Sequence, residues 1–264
     1  MKQLTLLLVN TISLIFALVM NGKQGSTLFN GKTVGDISAK YDTLITPAGY
    51  AFAIWGIIYL LLILFVGYQW YAWFRNKQDR ELMQTGLWFA LGNLANGFWI
   101  VAWLNDHIAF SVLLIFTLLL SLIMLSIRLR LEIWDAPLRI ITFVWWPIVF
   151  YLGWLVIASV ANMAVWLVST GWEGGFLSPA TWAIVLIALA TIIYLALIFS
   201  RNMREAALVG VWALIAIAVR QWAIHENIVI AAFLAAAVLF TAVSWHGYQN
   251  RHTAPLKKWQ RNEI

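Results

Sequence analysis

Long apolar stretches alternate with short polar ones along almost the whole chain. Uncharged runs of helical length cover Leu4–Met20, Pro47–Phe74, Leu82–Leu104, Ile108–Ile127, Ile140–Thr170, Phe176–Ser200, Ala206–Ile224 and Asn227–Tyr248, the seventh containing only Arg220, in its last turn. A helix needs about 20 residues, at about 1.5 Å each, to cross the hydrocarbon of a bilayer. The pattern therefore predicts an all-α, polytopic membrane bundle of about eight transmembrane helices. Tight polar connections such as Asn105-Asp106-His107 and His225-Glu226 make neighbouring helices antiparallel.

One connection breaks the rule. Residues 21–46 are polar, with four glycines and mixed charge, and lead straight into Pro47. A loop of that length is a functional element or a solvated one, and both a lid over the bundle and a mobile loop fit the residues. The first run, after Lys2, ends in Val19-Met20-Asn21-Gly22 without the small-x-small pattern of a cleaved leader, so a retained helix is expected. Gly171 to Gly175 marks a softer boundary, which divides the chain into a bundle over residues 1–170, three more helices over 171–248 and a basic tail over 249–264.

Composition agrees with the pattern. The 264 residues are 63% apolar and only 11% charged, with a net charge of +6, 17 tryptophans and no cysteine. The mean hydropathy is +0.84. Soluble domains are about 45–50% apolar and about 25% charged. The basic charge is placed by topology: Lys2, the clusters in 75–80, 128–139 and 201–204, and four residues of the tail put thirteen on one side, whereas Lys23, Lys32, Lys40 and Arg220 make four on the other. The positive-inside rule then expects both termini in the cytoplasm of a multi-pass protein, here of the bacterial cell membrane, and removes nucleic acid from the partners. The partners expected are the bilayer and an apolar small molecule.

The chemistry inside the spans is indole, phenol and amide. No Asp, Glu or His falls near the middle of any span, so the handle of an ion-coupled transporter and the acid or base of ordinary catalysis are both missing. No lysine occurs between Lys77 and Lys257, which excludes a retinal Schiff base, and zinc-protease, Walker and dinucleotide motifs are absent. Without cysteine there is no thiolate metal site, and no metal is expected. Phe52, Trp55 and Tyr59 recur at helical spacing on the second span. Asn96, Trp99 and Trp103 share a face of the third, and Tyr151, Trp154, Ala158 and Asn162 form a stripe on the fifth. A stripe of this kind suits ordinary packing, with each Asn bonded to a neighbouring helix, or a cavity whose indole and amide donors hold a flat apolar ligand. Tryptophans near span ends, such as Trp172, Trp222 and Trp245, suit the interfacial belt.

Pro47-x-Gly49-Tyr50-x-Phe52, followed by Trp55 and Tyr59, resembles the P-x-G-W-x-F…W-x-x-x-Y signature of the translocator protein (TspO), or tryptophan-rich sensory protein, family. It is one residue shorter between Phe and Trp and has Tyr50 for the usual Trp. Asn96-x-x-Trp99 is similar to the N-x-x-W of that family's third helix. Pro147 and Tyr151-Leu152-Gly153-Trp154, with Ala158, resemble the P-Y-x-x-W-x-x-x-A of its fifth. Together these pieces run in register across roughly residues 1–168. The resemblance implies a five-helix bundle around a pocket for porphyrin, sterol-like or other aromatic ligands, none covalently attached. It carries Trp55, Asn96 and Trp154 into the pocket lining, with Tyr59, Trp99 and Tyr151 beside them. The helices after residue 171 have no counterpart in short members and could cover the family's dimer surface, so a homodimer is left open. Sensing or transfer of a bound ligand is the leading expectation. A carrier without a coupling ion and an enzyme acting on a tetrapyrrole are the alternatives. Sterol-type motifs also occur at Val66-x4-Tyr71-x3-Arg75 and Val243-x4-Tyr248-x2-Arg251.

Overall fold

A computed structural model describes residues 2–41, 43–75, 80–253 and 255–261; Lys77, one of the basic residues counted above, and the last three residues of the tail lie outside them. The described residues are helical, with no strand among them. Six helices are long and apolar enough to cross a membrane. Those of the first half are α1 (Lys2–Gly22), α3 (Ile54–Phe74), α6 (Ile108–Arg128) and α7 (Leu138–Ser169), with the short α2 (Val34–Lys40) and α4 (Arg80–Thr85) between them. Those of the second half are α8 (Pro179–Arg201) and α10 (Glu226–Gln249). Two shorter helices, α5 (Trp88–Leu104) and α9 (Arg204–Gln221), complete the eight runs read from the sequence, and α11 (Pro255–Gln260) lies in the tail.

Two boundaries differ from that reading for local reasons. The third run is broken at Gly86, which adopts φ +55°, leaving α4 as a separate turn ahead of α5. The Arg128 guanidinium closes the break by donating from Nε to the Gln84 carbonyl at 2.7 Å. Inside α7 the backbone widens to a π-turn over Ile141–Trp145 just before Pro147. Proline has no N–H and its ring crowds the carbonyl four residues back, and a π-turn relieves that crowding.

α7 is the axis of the molecule: 78% of its membrane window is buried, against 28–39% in the other five long helices. α3, α6 and α9 all pack on it, α1 and α5 pack on each other and on α3 and α6 respectively, and α10 joins α9 to α8. The backbones approach closely where α9 meets α7. A Cβ built on Gly153 would lie 2.7 Å from the Cα and carbonyl oxygen of Ala206, and the Gly153 carbonyl accepts from the Tyr194 hydroxyl at 2.7 Å. Small residues at helix crossings are how membrane helices approach when lipid offers no hydrophobic drive. Elsewhere, apolar side chains such as Leu113, Ile192, Leu234 and Phe240 point outward and stay more than half exposed, as lipid-facing residues do.

Polar groups inside the bundle pair across helices. Asn10 donates to Gln69 Oε1 at 3.1 Å, Asn93 to Ser13 Oγ at 3.3 Å, and Trp70 Nε1 to Thr11 Oγ1 at 3.0 Å. These bonds fix α1 against α3 and α5, each contributing about 0.6 kcal/mol on average.

Candidate functional site

Residues 23–41 and 43–53 are held by local capping and by burial against the bundle. Thr33 caps α2 reciprocally: its hydroxyl accepts from the Asp36 N–H while the Asp36 carboxylate accepts from the Thr33 N–H. Phe29, Val34, Ile37 and Ile45 are buried against the bundle. Asp106, in the turn between α5 and α6, pins the segment by pairing with Lys40 at 2.8 Å and Lys32 at 3.4 Å and accepting from Tyr41 at 3.3 Å. Partial burial pushes the Asp106 carboxyl upward, but the two ammonium groups outweigh it and hold it below the usual carboxylate range; Lys40 is raised in turn, chiefly by its bond to Asp106. The pinning is therefore present above the ordinary carboxylate pKa of about 3.9, is lost as pH falls through the lowered value, and is also lost at alkaline pH as Lys40 deprotonates. Of the two forms the sequence left open, α2 takes that of a lid.

Directly beneath α2 lies an aromatic cavity. Trp55, Trp99 and Trp154 line it, with Phe52, Trp103 and Asn162, and Val34 and Ser38 of α2 form its roof. The rings interlock: Trp55 lies edge-on to Trp154 at 6.3 Å and tilted to Trp99 at 6.5 Å, while Phe52 meets Trp154 edge-on at 6.0 Å. The lid is tied to this wall, because Trp103 Nε1 donates to the Val34 carbonyl at 3.2 Å. Trp99 Nε1 donates to Asn162 Oδ1 at 2.7 Å, and Asn162 donates onward to Ser111 at 2.9 Å. Trp154 is different. It is 2% exposed, and its indole N–H has no hydrogen-bond partner among the described residues. A buried donor left unmet costs about 1–3 kcal/mol.

The other three expected site residues stand behind this wall. Asn96 donates to the Tyr151 hydroxyl and accepts from Asn21 of α1 at 2.6 Å. Trp55 stacks on Tyr59 at 5.3 Å and lies edge-on to Tyr151 at 5.6 Å. Tyr59 and Tyr151 thus hold Trp55, and Asn96 holds Tyr151. Asn162 and Trp103, which sequence reading had only as members of stripes, line the cavity itself. The partner Asn21 was missed because it sits at the end of α1 and its contact spans 75 residues of sequence. The two sterol-type motifs lie elsewhere: each Arg sits over its own Tyr ring, Arg75 over Tyr71 at 5.7 Å and Arg251 over Tyr248 at 4.5 Å, and both Tyr side chains are exposed.

One of the last three helices, α9, also builds this region. Ala48 N–H donates to the Ala216 carbonyl at 3.0 Å, Trp212 Nε1 to the Ala51 carbonyl at 3.2 Å, and Gln221 to the Leu44 carbonyl at 3.1 Å. α9 thus straps the chain that leads into Phe52 and Trp55.

Fold and site define a multi-pass helical membrane protein with an indole-lined cavity in its core. The chain belongs to the family described as TSPO-like protein, which it matches over residues 7–245. That match runs from α1 into α10, so it includes α8, α9 and most of α10. No curated protein and no solved structure matches the chain.

Proposed function

We propose that the protein binds a flat, largely apolar ligand of the porphyrin or sterol-like class in the cavity between Trp55, Trp99 and Trp154, for sensing or transfer. The single observation that carries this reading is the buried, unpartnered indole donor of Trp154 on the cavity wall. Packing alone gives no reason to bury that donor unmet, whereas a ligand acceptor would satisfy it. The cavity has about 40 Å³ of free space, which suits about one water. Ligand sites span about 300–1,000 Å³. Binding on this reading requires the α2 lid to lift and the indoles to turn.

Two measurements test it. Titrating the purified protein with protoporphyrin should quench tryptophan emission saturably, and vesicles holding the protein should show no accompanying flux; flux would favour the carrier instead. Asp106→Asn should free the lid: amide exchange in residues 34–40 should quicken about fivefold, the equivalent of about 1 kcal/mol of lost ion pairing, with α7 unchanged.

The orientation we propose has both termini cytoplasmic in a bacterial cell membrane, as the distribution of basic residues favours. Single cysteines at Gln24, Glu173 and Glu226 should react with an impermeant reagent from outside, and those at Ile133, Ser200 and Thr253 should not. Labelling that mixes the two sets would refute this topology.

A further inference from the structure

At the end of the bundle away from the lid, a second cavity of about 220 Å³ lies between the loop after α6, the start of α9 and the tail. Its chemistry is unlike that of the aromatic site. Glu132, Asp135 and Glu205 supply three carboxyl groups, Arg204 and Lys258 two cations, and Trp134 and Trp145 an edge-on pair of rings 5.6 Å apart. The backbone is bent to present Glu132 here: its φ is +59°, and Asn202 Nδ2 donates to its carbonyl at 2.7 Å. A non-glycine residue held in that region is costly unless its surroundings over-determine it. The tail roofs the cavity, with Lys258 buried and bonded to Asp135.

Several of these groups lack partners. Glu132 is 9% exposed, and its Oε1 is buried with no hydrogen-bond partner among the described residues; the same holds for Glu205 Oε2 and Arg204 Nε. Carboxylate oxygens accept and never donate, so two of them left open in one cavity call for donors. Lys258 engages Asp135, Arg204 bears on Glu132, and the lining carries one net negative charge when all groups are ionised. Among the described residues no three His, Cys, Asp or Glu side chains converge as a metal-binding group. An organic cation fits instead: its N–H groups meet the carboxylates, while Trp134, Trp145, Ile141 and Ala136 offer apolar and π faces to a short alkyl chain.

We propose that this cavity is a binding site for a small primary ammonium, with Glu132 and Glu205 as its acceptors and the two indoles as its walls. Burial, reinforced by Glu205 and opposed by Arg204, holds the Glu132 carboxyl up at about 8. Cation binding therefore expels a proton near neutral pH, and affinity rises as pH passes through that value. The charged groups that bear on this are Glu205, Arg204, Asp135 and Lys258, with His246 of α10 beside Arg204.

Calorimetric titration of the full-length protein with n-butylammonium chloride tests the assignment, with 1-butanol and potassium chloride at equal concentration as controls. Saturable binding of n-butylammonium alone is expected. Glu132→Gln and Glu205→Gln should each weaken it about tenfold or more, because each removes a charged acceptor. Trp154→Leu, in the other cavity, should leave it unchanged. On the unmutated protein, binding should tighten between pH 7 and pH 9 and release protons, which keeps the test valid if a Gln variant does not fold. Equal binding of 1-butanol, an equal response to potassium chloride, or an affinity indifferent to pH would overturn the proposal.

Discussion

Replacing Trp154 by leucine should weaken tetrapyrrole binding by about 1–3 kcal/mol, or roughly 5- to 150-fold. That range combines the loss of aromatic contact with the loss of one buried indole donor. The substitution removes the ring that Trp55 and Phe52 both meet edge-on and the one indole of the cavity wall whose N–H is buried without a partner. Trp245→Leu is the matched control. Trp245 is 60% exposed near the end of α10, where an indole sits among headgroups, so affinity there should hardly change. Any general attraction of a porphyrin to a tryptophan-rich protein in detergent would fall equally in both variants. Equal losses, or none, would leave Trp154 as a packing residue.

Gly153→Ala should cost about 1–3 kcal/mol of stability, the range for forcing atoms into a packed core. The added methyl would meet the backbone of Ala206 at 2.7 Å, and backbone cannot rotate away as a side-chain tip can. α7 and α9 would have to separate, which also disturbs the bond from Tyr194 to the Gly153 carbonyl. Gly56→Ala makes the contrast. That glycine lies in the first turn of α3 with nothing within 4 Å of the new Cβ, so the change should be neutral or stabilising by up to about 1 kcal/mol. Thermal midpoints of the two variants in one detergent, at one scan rate, should move apart, down for Gly153→Ala and level or up for Gly56→Ala. Matching midpoints would mean that the α7–α9 contact yields without cost.

The helices were legible because a span must satisfy its own backbone and be apolar over a fixed length, and both demands are local. The aromatic stripes were legible for a similar reason, since positions 96, 99 and 103, or 151, 154, 158 and 162, share a face in any helix. The sorting of those stripes into wall and support was not. Asn96 bonds Tyr151 and Asn21, while Asn162 turns to Trp99 and Ser111, and nothing in the spacing distinguishes the two amides. The break at Gly86 was hidden inside an uncharged run because a positive φ leaves no mark on hydropathy. Glu132, Arg204 and Glu205 read as ordinary charges at helix ends. Only the return of the loop after α6 beneath α9 brings them together, across some 70 residues of sequence.

The claim that the indole cavity is a ligand site is tested most directly at the Trp154 N–H itself. With nitrogen-15 in the indoles, the Trp154 resonance can be assigned by its loss in Trp154→Phe, and protoporphyrin then added to the unmutated protein. The account predicts that this resonance shifts saturably, in step with fluorescence quenching, as the unpartnered donor gains an acceptor, while that of Trp245 stays in place. A Trp154 resonance unmoved at saturating porphyrin, with shifts confined to the exposed indoles, would contradict it.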